Sequence, residues 1–251
     1  MNILQSPLLS QYKNLLHAFS TKKGGLSKTP FSGNNLAFHV NDNPHTVRKN
    51  HQNFAKDLGY PYKRLIRMEQ IHGDSVVIID QDSDLQQIPR CDAVITKLKN
   101  TPLMVMVADC LPILLYDPVK EVIATVHAGR AGVFSKIITK TIQTMLEAYK
   151  SQASDLRIVI GPSIHQCCYE VGSEINEEAK SHGYGYAIKT KNNRYFLGLK
   201  DIVLQELKEL NVVNEHIEFS PYCTSCRKDI FYSYRAEDNL CGRFCGLVML
   251  R

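Results

Sequence analysis

Three apolar runs, Leu103 to Val107, Pro112 to Tyr116 and Val122 to Val126, follow one another in the middle of the chain, and each has the length of one buried strand. The five residues Asp117 to Glu121 between the second and third runs suit a hairpin, so those two runs are expected to pair antiparallel. Shorter stretches predict strands at Leu16 to Ser20, Leu65 to Met68, Ser75 to Ile79, Cys91 to Thr96, Leu156 to Ile160 and Ile217 to Phe219. Helical spacing replaces them from Pro44 to Leu58, with Val47, Phe54 and Leu58 apolar, and from Ala131 to Tyr149, where Phe134, Ile137, Ile138, Ile142, Met145, Leu146 and Tyr149 make one stripe for packing on a sheet. Glu174 to Lys180 and Leu199 to Leu210 read as further amphipathic helices, joined by a connector rich in glycine and tyrosine. Phe231 to Arg235 is aromatic and strand-like.

The polar exceptions carry the chemistry. Asp109 and Cys110 stand where the first run hands over to the second, and His127 closes the third just before a glycine-bearing turn. Antiparallel pairing of the second and third runs brings Cys110 and His127 to the same end. A thiol and an imidazole there suit a zinc ion, a nucleophile and base, or simple packing of a buried cysteine beside a satisfied histidine. His72, before Gly73 at a strand junction, is placed to point into a cleft or, equally, to cap a turn. Thr21-Lys22-Lys23-Gly24-Gly25 is a basic glycine turn, a candidate anion cradle or only a turn.

The eight cysteines, in a chain of 251 residues without a secretory signal, read as reduced thiols, and the protein reads as cytosolic. Cys223-x-x-Cys226 and Cys241-x-x-x-Cys245 have zinc-ribbon spacing, although an aromatic segment and Arg243 interrupt the pattern. The adjacent Cys167 and Cys168 are expected to pack, because neighbouring cysteines do not easily share one tetrahedral ion. His45, His51, His182 and His216 stand singly in polar stretches and read as surface residues. A net charge of +5 with scattered basic residues argues against nucleic acid as the partner and suits a small anion such as phosphate. No apolar run reaches the length of a membrane span, and no repeat or linker divides the chain, so residues 1–251 read as a single domain.

With Gln70-Ile71-His72-Gly73, Ala108-Asp109-Cys110-Leu111-Pro112, His127-Ala128-Gly129, Ile160-Gly161-Pro162-Ser163-Ile164, Cys168-Tyr169-Glu170-Val171-Gly172 and Phe231-Tyr232-Ser233-Tyr234-Arg235 followed by Gly242-Arg243, the chain resembles the YfiH family. That family is also called the multicopper polyphenol oxidoreductase or laccase-domain family, and it includes the peptidoglycan editing factor and the purine enzyme FAMIN. The motifs run from about residue 20 to the end. The resemblance implies a layered α/β (α+β) domain with packed mixed sheets between outer helices, similar to the catalytic domain of cytotoxic necrotising factor. It also implies a metal site of His72, Cys110 and His127, with three protein ligands and an open fourth position. The family's usual tryptophan after His-Ala-Gly is absent, since residues 127–132 read His-Ala-Gly-Arg-Ala-Gly and the chain has no tryptophan.

What the resemblance implies for function is phosphorolysis of adenosine, inosine, guanosine and methylthioadenosine, together with adenosine deamination, with zinc as cofactor and copper as the alternative ion. The alternatives are copper-dependent phenol oxidation, and a cysteine amidohydrolase that edits peptidoglycan with Cys110 as nucleophile and His127 as base. A multicopper oxidase needs more histidines in characteristic spacings than one His-Cys-His set supplies. On the purine reading one metal is expected per chain, Asp109 is the proton-handling or orienting carboxylate beside Cys110, and Lys22, Arg235 and Arg243 are the phosphate-binding candidates.

Overall fold

The computed structural model describes residues 3–251. Its first half runs β1 (Ile3–Leu4), α1 (Pro7–Ser10), β2 (Leu15–Ser20), α2 (Pro44–Leu58), β3 (Val76–Ile79), β4 (Ala93–Thr96), β5 (Leu103–Val107), β6 (Leu111–Asp117) and β7 (Val122–Ala128). The second half runs α3 (Arg130–Phe134), α4 (Ile137–Tyr149), β8 (Arg157–Ile160), β9 (Glu170–Val171), α5 (Ser173–Ser181), β10 (Ile188–Lys191), β11 (Arg194–Leu197), α6 (Leu199–Glu209), β12 (Ile217–Phe219) and β13 (Phe244–Leu250). The strands form a six-stranded mixed sheet in the order β12-β8-β6-β7-β4-β3, a four-stranded sheet β1-β2-β13-β5, and a small sheet β10-β11-β9.

The central runs lack alternation because both faces of their sheets are covered. On β6, Ile113 and Leu115 pack into a core shared with α3, α4 and α6, while Leu114 and Tyr116 face a second core between the two large sheets. On β5, Leu103, Val105 and Val107 face that inter-sheet core, and Met104 and Met106 turn outward to a third core covered by Phe54 and Ala55 of α2. The period of two is therefore intact, but each face is apolar. The result is a mixed α/β architecture with packed sheets between outer helices, as expected.

The helix α2 has the bounds its pattern predicts. Asn43 caps the His45 and Thr46 N–H groups, Pro44 takes the first turn, and Gly59 stops the helix at φ 73°. His51 is a correction: it is fully buried on this helix and its Nε2 lies 2.7 Å from the Leu36 carbonyl. The single helix expected from Ala131 to Tyr149 is two, because Lys136 adopts φ 60° and re-phases the chain. That break lets Val133, Phe134, Ile137 and Ile138 all reach the same core.

Other expectations change for topological reasons. Residues 65–68 make only an isolated bridge from Ile66 to Leu103 instead of a strand. Residues 231–235 are irregular chain leading into a turn at 234, not a strand, with Phe231, Tyr232 and Ser233 all buried. The connector after α5 contains the hairpin β10–β11, turning at Asn192 and Asn193, both with positive φ. Strand β13 was not anticipated, yet it lies between β2 and β5 in the centre of its sheet.

Candidate metal centre

The handover from β5 to β6 is a crossing from one large sheet to the other, and Asp109 and Cys110 occupy it. Antiparallel pairing of β6 with β7 sets Leu111 opposite Ala128 and Pro112 opposite His127, so Cys110 and His127 do meet at one end. His72 comes from the loop before β3, in the left-handed region at φ 57°. The ligand atoms of His72, Cys110 and His127 all lie within 4.8 Å of one another, and the two imidazole rings meet edge to face at 4.7 Å.

Asp92, at the entry to β4, organises both histidines, and the sequence reading did not single it out. Its Oδ1 lies 2.7 Å from His127 Nδ1, while its carboxylate accepts the backbone N–H groups of Ile71, His72 and Gly73 at 3.3, 3.0 and 2.7 Å. A carboxylate accepts, so His127 Nδ1 carries the hydrogen and Nε2 is left to face Cys110. Burial opposes ionisation of Asp92, but the bonds from His127 and Gly73 outweigh it and hold its pKa below the ordinary value. The signal in the sequence was a carboxylate set flush against the buried run Ala93 to Thr96.

Gly129 is the second residue explained only by the structure. A Cβ there would sit 3.1 Å from Cys110 Sγ and 3.3 Å from His72 Cδ2, inside the space the three side chains surround. Electrostatics favour a thiolate in that space. Burial raises the Cys110 pKa, but attraction and hydrogen bonding from His127, then His72, outweigh it and bring the thiol to about 6. Burial lowers His127, but Cys110 and Asp92 outweigh it and carry the imidazole to about 9. A thiolate and two imidazoles around a space closed to any side chain fit a borderline-soft ion such as zinc, and they leave a fourth position for a ligand.

That position opens into a cavity of about 560 Å³, whose walls include His39, Met68, Glu69, Gln70, Met106, Tyr234 and Arg243. Gln70 fixes one wall by bonding both the carbonyl and the N–H of Met106, at 2.8 and 2.9 Å. Arg243 bonds Cys241 and Gly242 through Nη1 and lies under the Tyr234 ring, which leaves Nε and Nη2 unpaired among the described residues. The other two phosphate candidates do not join it. Lys22 pairs with Glu237 at 3.3 Å, in a turn that packs on residues 33 and 34 and forms no open cradle. Arg235 donates to the Glu170 carbonyl and lies over Tyr169, and it does not line this cavity.

Asp109 stands beside Cys110, but its carboxylate turns away from the cavity. Oδ1 accepts from Thr224 Oγ1 at 2.6 Å and Ser233 Oγ at 2.7 Å, and Oδ2 accepts from the Arg235 N–H at 2.7 Å. It fastens the C-terminal segment to the sheet crossing while its own backbone holds φ 92°.

A family model described as multi-copper polyphenol oxidoreductase laccase matches residues 16–251. The chain belongs to this family, the YfiH family. It is 34% identical to a purine nucleoside phosphorylase of Corynebacterium glutamicum, covering 92% of this chain and 93% of that one. A purine nucleoside phosphorylase of Streptomyces coelicolor is 35% identical over 92% of this chain and 94% of its own. Among solved structures, YfiH from Bacillus licheniformis superposes with a TM-score of 0.93 at 28% identity, over 99% of this chain and 96% of that one. YlmD from Geobacillus stearothermophilus gives a TM-score of 0.91 at 27% identity, over 100% and 97%. The YfiH-family fold is thus shared along almost the entire chain.

Proposed function

We propose that this YfiH-family chain is a zinc-dependent purine nucleoside phosphorylase, acting on adenosine, inosine, guanosine or methylthioadenosine at the His72–Cys110–His127 centre. The observation that carries this reading is one cavity lined by both the three convergent ligands and Arg243, with the relatives' names supplying the reaction class. A bound zinc would supply Lewis acidity at the cavity floor. Arg243 supplies a fixed cation for the phosphate. Tyr234 and the thioethers of Met68 and Met106 give apolar surface for a purine. In the reaction a phosphate oxygen forms the new bond to the sugar's anomeric carbon, the bond to the base nitrogen breaks, and the departing base takes up a proton. His39 also lines the cavity; burial and the nearby Arg243 hold its pKa below the ordinary histidine value, which favours the neutral ring there.

Hydrolytic deamination of adenosine is proposed as a second activity of the same site, because a zinc held by His72, Cys110 and His127 would supply the Lewis acidity that water attack needs. Two imidazoles converge on Cys110, whereas a nucleophile–base pair needs one, so the ligand role is favoured over the cysteine amidohydrolase. Among the described residues two clusters of metal-ligand side chains converge, and neither gathers the histidines of a multicopper oxidase. No helix of the described residues is long and apolar enough to cross a membrane. The test is to incubate the metal-loaded protein with inosine and with adenosine, with and without phosphate. Ribose 1-phosphate formed only with phosphate supports the reading; free base released from inosine without ribose 1-phosphate counts against it.

A further inference from the structure

Four cysteines that the His-Cys-His centre does not use come together elsewhere. Cys167 and Cys168 lie in a turn after β8, and Cys223 and Cys226 lie in the segment after β12. Their sulfurs are all within 4.8 Å of one another, with Cys167–Cys168 at 3.7 Å, Cys167–Cys226 at 3.8 Å and Cys168–Cys226 at 3.3 Å. We propose that Cys167, Cys168, Cys223 and Cys226 form a second metal site, a structural tetrathiolate site for zinc.

The distances carry the chemistry. Four sulfurs at about 2.3 Å from a zinc ion at the centre of a tetrahedron are about 3.8 Å apart; Cys167–Cys168 and Cys167–Cys226 match that spacing, Cys168–Cys226 is closer at 3.3 Å, and Cys223 lies within 4.8 Å of all three. A disulfide would bring one pair to about 2.05 Å and leave the other two sulfurs without a role. Adjacent cysteines point apart in a strand, but Cys168 and Tyr169 both donate their N–H to the His165 carbonyl. The resulting turn sets the Cys167 and Cys168 sulfurs side by side, which removes the objection raised from sequence.

The zinc-ribbon spacing, in contrast, joins the wrong pairs: Cys241 and Cys245 are buried in two other cores. Their place beside Cys223-x-x-Cys226 is taken by cysteines 55 or more residues earlier, brought in where Ser163 bridges to Cys223. The His165 N–H points at Cys223 Sγ at 3.4 Å, the kind of amide contact that steadies a coordinated thiolate.

A site closed by four protein ligands leaves no position for substrate, so its role is to brace. Its ligands flank parts of the cavity's support. Cys168 precedes Tyr169, which lies under Arg235, and Cys223 and Cys226 bracket Thr224, whose hydroxyl donates to Asp109 beside Cys110. The site ties the two loops together within two residues of that contact.

Metal counting tests the proposal without reference to activity. Protein isolated under reducing conditions should carry two metal ions per chain, falling to one in His127→Ala and to one in the double variant C167A/C226A, both changes falling on exposed cysteines. His127→Ala reloaded with cobalt(II) should show the intense thiolate-to-metal absorption of a tetrahedral four-sulfur site. At most one metal in the wild type and none in His127→Ala would overturn the proposal, even if the cysteine variant failed to fold. A freshly isolated chain two hydrogens lighter than its reduced mass would overturn it too, by showing a disulfide.

Discussion

Asp92 holds His127 by a 2.7 Å bond to Nδ1, and the same oxygen accepts the His72 N–H at 3.0 Å. One buried carboxylate oxygen therefore sets the angle of one imidazole and the backbone of the other. In Asp92→Asn the amide can present only one acceptor oxygen to three backbone donors and a ring N–H. Metal affinity should fall by roughly tenfold to a hundredfold, read by competition with a chelator of known affinity. Unchanged affinity would reduce Asp92 to a loop anchor.

Gly129 should be intolerant of even one methyl group. Its φ of −79° is ordinary for any residue, so Gly129→Ala introduces no backbone strain. The added carbon meets Cys110 Sγ and His72 instead. The expected outcome is loss of the metal from this centre with the circular dichroism spectrum and cooperative unfolding preserved.

Asp109→Asn separates positioning from proton transfer. All three donors to its carboxylate come from the C-terminal segment, so the variant leaves a donor facing a donor and should lose about 1–3 kcal/mol of stability. Turnover should fall without a change in the shape of the pH–rate profile. Loss of one limb of that profile would return Asp109 to proton handling.

Stability should decline on mild acidification because of His51. Burial, with Arg67 nearby, pushes its pKa down to about 4 against the opposing bond to Leu36. The unfolded chain takes up a proton near the ordinary value of about 6.5, and the folded chain does not until about 4. The unfolded state thus binds more protons in that window, so stability is full above it and is lost as pH falls through it. The loss is on the order of 3 kcal/mol. Urea unfolding at a series of pH values should show this slope, and His51→Gln, which keeps a donor for Leu36, should flatten it.

The strands of the sheet centre were legible because β5, β6 and β7 are apolar on both faces, and the β6–β7 hairpin length fixed the meeting of Cys110 with His127. Strand β13 was obscured by Cys245 and Gly246 near its start, because Cys245 paired with Cys241 in a metal-binding reading of residues 241–245. Asp92 and Gly129 act through contacts made only on folding: a carboxylate beside the buried run Ala93 to Thr96 is locally unusual but does not reveal an imidazole partner 35 residues away, and nothing local marks a glycine whose missing side chain leaves room for an ion. The pairing of Cys167 and Cys168 with Cys223 and Cys226 was hidden for the same reason, since cysteine spacing reports loops and not which loops adjoin.

The central claim is phosphorolysis at a cavity where Arg243 holds phosphate beside the His72–Cys110–His127 centre. The most direct measurement is ribose 1-phosphate formation from inosine by wild type and Arg243→Ala, at matched metal content and over a range of phosphate concentrations. The account predicts phosphate-dependent product in the wild type. In the variant it predicts a rate at low phosphate about tenfold to a hundredfold lower, the loss of a charge-assisted contact of about 1.5–3 kcal/mol. Equal rates in the two proteins, or base release without ribose 1-phosphate, would contradict it.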